Sequence, residues 1–130
     1  MPALYVDTSA LGRVLLGEPD RAAILRELTR FDQTVSSRLL GVELRRLALR
    51  SAQLDATEQL LAGIALIPIA DPILRAAETI LPAVVAPLDA IHLATTVALA
   101  EAGTLDAVMT YDAQLAQGAQ HHGITVIAPS

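Results

Sequence analysis
The sequence predicts an α/β fold, a three-layer α/β/α sandwich with a mainly parallel central sheet. Three observations carry this. Apolar runs of strand length, such as Ala3-Leu4-Tyr5-Val6, alternate with longer segments of helical periodicity along the whole chain, the pattern of parallel strands joined through crossover helices. Apolar residues make up 53% of 130 residues, enough to bury a core in one domain spanning 1–130. No repeat, low-complexity tract or linker divides the chain.

Taken in order, the first strand is Ala3–Val6, and a helix follows over Ser9–Leu16. A second helix covers Asp20–Phe31, opened by the turn around Pro19. The second strand is Thr34–Ser36 and the third helix Ser37–Arg50. A helix over Leu54–Ile64 leads into a strand over Ala65–Ile69. Pro68 lies inside that strand and predicts an edge position or a loop. Asp71 precedes Pro72 as an N-cap with proline at the first helical position, opening a helix over Pro72–Ile80. Pro82 and Pro87 bracket a short apolar connection before the long helix Leu88–Ala102. The chain closes with a strand over Ala107–Tyr111, a helix over Ala113–His122 and a strand over Ile124–Ile127.

Four acids stand out among these elements: Asp7 closes the first apolar run, Glu43 lies within a helix, Asp89 opens the long helix, and Asp112 ends the Ala107–Tyr111 run. Ionised carboxylates are rarely buried unless paired or bound to a metal. Asp7 and Asp112 follow strands of a parallel sheet and therefore share the carboxyl edge, where ligands of open α/β sheets bind. Four such acids meeting there form a hard-oxygen cage suited to Mg²⁺ or Mn²⁺. Each acid also has an ordinary reading: Asp7 and Asp112 as helix caps, Asp89 as a helix-dipole partner, Glu43 as the partner of Arg46. Asp106 precedes the strand that Asp112 follows, so it belongs to the opposite edge. Ser9 and Thr110 are placed to orient the carboxylates or a bound phosphate, or to cap locally. His92, one helical turn after Asp89, reads first as a packed, hydrogen-bonded residue and second as a group that orients a carboxylate.

Composition narrows the chemistry. Without cysteine there is neither disulfide nor thiolate metal site, which fits a reducing compartment. All nine basic residues are arginine; the missing lysine argues strongly against a P-loop, a receiver domain and a haloacid-dehalogenase-like phosphatase. The net charge of −5 is uneven, with eight of the nine arginines in residues 1–50. Arg38, Arg45, Arg46 and Arg50 surround Glu43, and Arg13 follows Asp7, offering phosphate contacts beside the acids or simply a solvated face. No signal peptide or membrane-length apolar run is visible, so the cytoplasm is the expected location. The mean hydropathy of +0.49 is high and predicts surface buried against another chain.

Four segments carry a resemblance: Tyr5-Val6-Asp7-Thr8-Ser9-Ala10-Leu11, Val42-Glu43-Leu44-Arg45-Arg46, Leu88-Asp89-Ala90-Ile91-His92-Leu93-Ala94-Thr95 and Thr110-Tyr111-Asp112. In this order they resemble the PIN-domain ribonucleases, most closely the VapC-type toxins of bacterial toxin–antitoxin pairs. The resemblance implies a Mg²⁺- or Mn²⁺-dependent endoribonuclease whose acidic quartet is Asp7, Glu43, Asp89 and Asp112, with Asp7 and Asp89 as direct metal ligands. It implies products with a 5′-phosphate and a 3′-hydroxyl, and a cognate antitoxin whose tail enters the groove. A homodimer is expected. This chain departs from many relatives after Asp112, where Ala113-Gln114-Leu115 replaces a second acid and a phenylalanine. The competing readings are a non-catalytic interaction module on the same fold and a metal-dependent DNA nuclease or phosphatase.

Overall fold
A computed structural model describes residues 2–130. Five strands, β1 (Ala3–Val6), β2 (Gln33–Ser37), β3 (Ala65–Ile67), β4 (Ala107–Met109) and β5 (Val126–Ile127), form one parallel sheet in the order β3-β2-β1-β4-β5. The helices are α1 (Thr8–Leu15), α2 (Arg21–Leu28), α3 (Arg38–Ser51), α4 (Leu54–Ala62), α5 (Asp71–Thr79), α6 (Pro87–Glu101) and α7 (Ala113–His121).

Period-two alternation builds the layers. On β1, Leu4 and Val6 face a core completed by α1 to α4, through Leu11, Ile24, Leu40, Leu44 and Leu61. Tyr5 points the other way, toward Leu93 of α6 and Leu115 and Ala119 of α7. β4 repeats this, with Ala107 and Met109 on the first face and Val108 on the second. The sandwich is thus three-layered, as the sequence predicts.

All twelve elements are where the sequence places them, with shifted ends. Pro68 lies just past the short edge strand β3, since a residue without an N–H cannot continue the ladder. Asp71 is not the N-cap of α5; Ala70 is, and Asp71 sits in the first turn, paired with Arg75. β4 stops at Met109; the Thr110 N–H still bonds the Ile127 carbonyl, while the Thr110 hydroxyl and the Tyr111 N–H turn toward the segment after β1. Helix α6 ends cleanly because Gly103 adopts φ +73°, a conformation that costs glycine little. The Gly103 and Thr104 N–H groups then satisfy the Ala100 and Leu99 carbonyls and hand the chain to β4.

The chain runs β1 to β2 to β3 on one side, then returns to β4 and β5 on the other. The strand order therefore reverses between β1 and β4, which opens a crevice at their carboxyl ends.

Candidate active site at the carboxyl edge
Asp7 follows β1 at the floor of this crevice and is 4% exposed. Its side chain caps α1 by accepting from the Ala10 N–H at 3.1 Å. Thr110 Oγ1 donates to Oδ2 at 2.6 Å, and Ser9 Oγ lies 2.7 and 2.9 Å from the two carboxylate oxygens. Ser9 has a single hydroxyl hydrogen, so three donors serve about four lone-pair positions and one position stays open. Ser9 Oγ also accepts from the Tyr111 N–H at 2.8 Å, and Thr110 Oγ1 accepts from the Asp112 N–H at 3.0 Å. These two hydroxyls clip the turn after β4 onto the turn after β1. Burial pushes the Asp7 carboxyl upward, opposed by the Thr110, Ser9 and Ala10 hydrogen bonds.

Asp112 is the N-cap of α7, with Oδ1 accepting from the Leu115 N–H at 3.0 Å. The capping readings of Asp7 and Asp112 are therefore both realised. They do not compete with a site, because each cap uses a single carboxylate oxygen.

Glu43 comes from the middle of α3. Its predicted alternative partner, Arg46, makes no ion pair with it; Thr8 Oγ1 donates to Oε1 at 2.9 Å, and His92 Nε2 lies 2.7 Å from the same oxygen. Asp89 occupies the first turn of α6 and is half-buried. Its carboxyl is pushed up to about 6, first by desolvation, then by the negative charge of Asp112, with smaller contributions from Asp7 and Glu43 and relief from His92. All four acids thus share one electrostatic environment. Among the described residues no arginine pairs with any of them.

That environment fits a hard divalent cation in its chemistry: carboxylate oxygen donors, crowded negative charge and, among the described residues, no arginine to neutralise it. The side chains do not form the closed cage expected from the sequence. Among the described residues, no three His, Asp or Glu side chains are arranged as the ligand set of one ion. Protein donors occupy all but one lone-pair position of Asp7 and one oxygen each of Glu43 and Asp112, which leaves the remaining carboxylate positions as available donors.

Asp106 sits at the opposite edge, where its Oδ2 accepts from the Ala3 N–H at 2.6 Å and fixes the start of β1. The arginines are mixed. Arg13 pairs with Asp20 at 3.0 Å and stacks over the Tyr111 ring, 4.1 Å from its centroid. Arg45 is bidentate to Glu58, while Arg38, Arg46 and Arg50 are exposed. Sequence reasoning missed Thr8 and Tyr5. Thr8 adjoins Asp7 and carried the same signal as Ser9; Tyr5 reads only as core.

A PIN-domain family model matches residues 4–119, a span that contains all four acids. The chain belongs to the PIN-domain family. Within it, ribonuclease VapC47 of Mycobacterium tuberculosis is 36% identical over 97% of this chain and 96% of its own length. Ribonuclease VapC46 of the same species is 35% identical over the full length of both. A chain in a solved toxin–antitoxin complex from Klebsiella pneumoniae superposes with a TM-score of 0.70 over 98% of each chain, at 24% identity, a likeness that concerns the fold. The PIN-domain assignment made from four short segments thus holds along the whole chain.

Proposed function
We propose that this PIN-domain protein is a VapC-type endoribonuclease toxin that hydrolyses RNA phosphodiesters with Mg²⁺ or Mn²⁺ held by Asp7, Glu43, Asp89 and Asp112. The observation that carries this is the crowding of four carboxylates, from β1, α3, α6 and the β4–α7 junction, without an arginine among them. When bound, a hard divalent ion lowers the pKa of water and neutralises charge on the reacting phosphate. Asp7, held by three donors, is the rigid anchor of the ligand set. Asp89 carries no such restraint and is the carboxylate best placed to adjust its position or accept a proton. Ser9 and Thr110 hold Asp7 and the Asp112 backbone in register. Arg38, Arg46 and Arg50 track RNA phosphates beside the crevice. Arg13 and Arg45 contribute less, because each is already paired with a carboxylate.

A cognate antitoxin is the expected protein partner, with a basic side chain entering the acidic crevice in place of the cation. A homodimer is supported by exposed Leu81, Val84 and Leu88, next to an apolar groove of about 410 Å³ between α5 and α6. Among the described residues no helix is long and apolar enough to cross a membrane.

The test is cleavage by the purified protein of RNA, DNA and a small phosphoester, with Mn²⁺ and with chelator. RNA cleavage that requires Mn²⁺ supports the proposal. Preferential cleavage of DNA or of the phosphoester points to the alternative enzymes, and inactivity on all three to an interaction module.

A further inference from the structure
His92 and Tyr5 do more than pack. Both are almost fully buried, and the Tyr5 hydroxyl lies 2.5 Å from His92 Nδ1 while His92 Nε2 lies 2.7 Å from Glu43 Oε1. The Ser37 N–H donates to the Tyr5 oxygen at 3.1 Å. An ionised carboxylate has no hydrogen to give, so Nε2 must carry the proton in that hydrogen bond. In the Nε2-protonated tautomer Nδ1 is an acceptor, which the Tyr5 O–H satisfies. The Tyr5 oxygen accepts in turn from Ser37. Burial pushes the Tyr5 phenol far above its ordinary range, so its hydrogen stays on oxygen.

We infer that Tyr5 and His92 form a directional hydrogen-bond relay that positions Glu43 for the cation, fixing Oε1 and leaving Oε2 to bind. The relay closes a loop through the fold. Ser37 is the N-cap of α3, the helix that carries Glu43, so β1, α6 and both ends of the path to Glu43 are locked together. Thr8 Oγ1 adds a second donor to Oε1 from α1. Among the described residues no donor reaches Oε2. The geometry matches the common arrangement in which a partner outside the ligand set holds a metal-binding carboxylate in one orientation. Tyr5 and His92 are positioning residues; neither touches the reacting atoms.

This inference rests on Glu43 belonging to the site, and the experiment separates the two. In metal-free protein, long-range ¹H–¹⁵N spectra of the imidazoles, assigned by comparison with His92→Gln, are expected to show His92 protonated at Nε2. Tyr5→Phe should shift its Nδ1 resonance without unfolding the protein, since the ring remains in the core. Calorimetric titration with Mn²⁺ alone should show affinity reduced on the order of tenfold in Tyr5→Phe and in His92→Leu. His92→Gln, which keeps an N–H near the Nε2 position, should recover most of that loss; a merely structural role would follow the melting temperature instead. An Nδ1-protonated His92, or folded Tyr5→Phe and His92→Leu with unchanged Mn²⁺ affinity beside a weakened Glu43→Gln, overturns the relay. Unchanged affinity in Glu43→Gln itself overturns the site reading and the relay's purpose with it.

Discussion
At the scale of single residues, the site is a set of acids held against their own repulsion. Asp89 shows this best. Its folded-state pKa of about 6 lies above the ordinary carboxylate value of 3.8, so the folded protein binds the extra proton between those limits. Stability contributed by this group is present at low pH and lost as pH rises through 6. In chelated protein, Asp89→Asn should therefore raise the melting temperature at neutral pH and lose that advantage below about pH 4. The gain should be on the order of 1 kcal/mol, after discounting for the solvent that reaches the half-exposed side chain. Denaturation as a function of pH checks this, and a destabilised variant at neutral pH would contradict it. Asp112→Asn should remove RNA cleavage while keeping the α7 cap, because an amide oxygen still accepts from Leu115. Asp106→Asn should leave cleavage intact, since its hydrogen bond is with the Ala3 N–H at the far edge. A reversed ranking in an RNA cleavage assay would exchange the two assignments.

At the scale of elements, the turns after β1 and β4 work as one unit. Thr110 Oγ1 bridges Asp7 and the Asp112 N–H, so Thr110→Val should cost about 1–3 kcal/mol and lower cleavage as well. Urea denaturation and a single-turnover assay measure the two effects. Helices α6 and α7 meet at Gly118, where a Cβ would stand 2.8 Å from Leu93 Cδ2. Leu93 is fully buried and has little room to yield, so Gly118→Ala should destabilise by about 1–3 kcal/mol, read in the same denaturation experiment. Element identity was legible in the sequence because apolar period and proline placement report local structure directly. Element ends were not. Thr110 and Tyr111 look like strand residues, and Thr110 keeps its N–H bond to Ile127 of β5, yet the Thr110 hydroxyl and the Tyr111 N–H go to tertiary bonds with Asp7 and Ser9 that no local pattern encodes. His92 shows the same limit. Its helix and burial are readable from neighbours, but its two partners lie 87 and 49 residues away.

At the scale of the whole molecule, charge and apolar surface are divided. Arginine is concentrated in residues 1–50, around α1, α2 and α3, and the later half is strongly acidic. Binding of RNA to a cleavage-deficient Asp89→Asn protein should weaken with salt. Adding Arg38→Ala or Arg46→Ala should reduce the slope of log affinity against log salt by about 0.7 for each RNA phosphate that the protein no longer neutralises. Equal slopes would assign these arginines to a solvated face. That Asp7 and Asp112 share one edge was legible from the carboxyl-end rule, whereas the approach of Glu43 and Asp89 from α3 and α6 depends on tertiary packing. The final spacing of the four acids was not legible, because it depends on rotamers set by Ser9, Thr8, Thr110 and His92.

The most direct test is anomalous diffraction from crystals of the protein soaked in Mn²⁺. The account predicts one dominant peak in the crevice between β1 and β4, within coordinating distance of Asp7 and Asp89 and adjacent to Glu43 Oε2 and Asp112. A dominant peak elsewhere, or an empty crevice at saturating Mn²⁺, would contradict it.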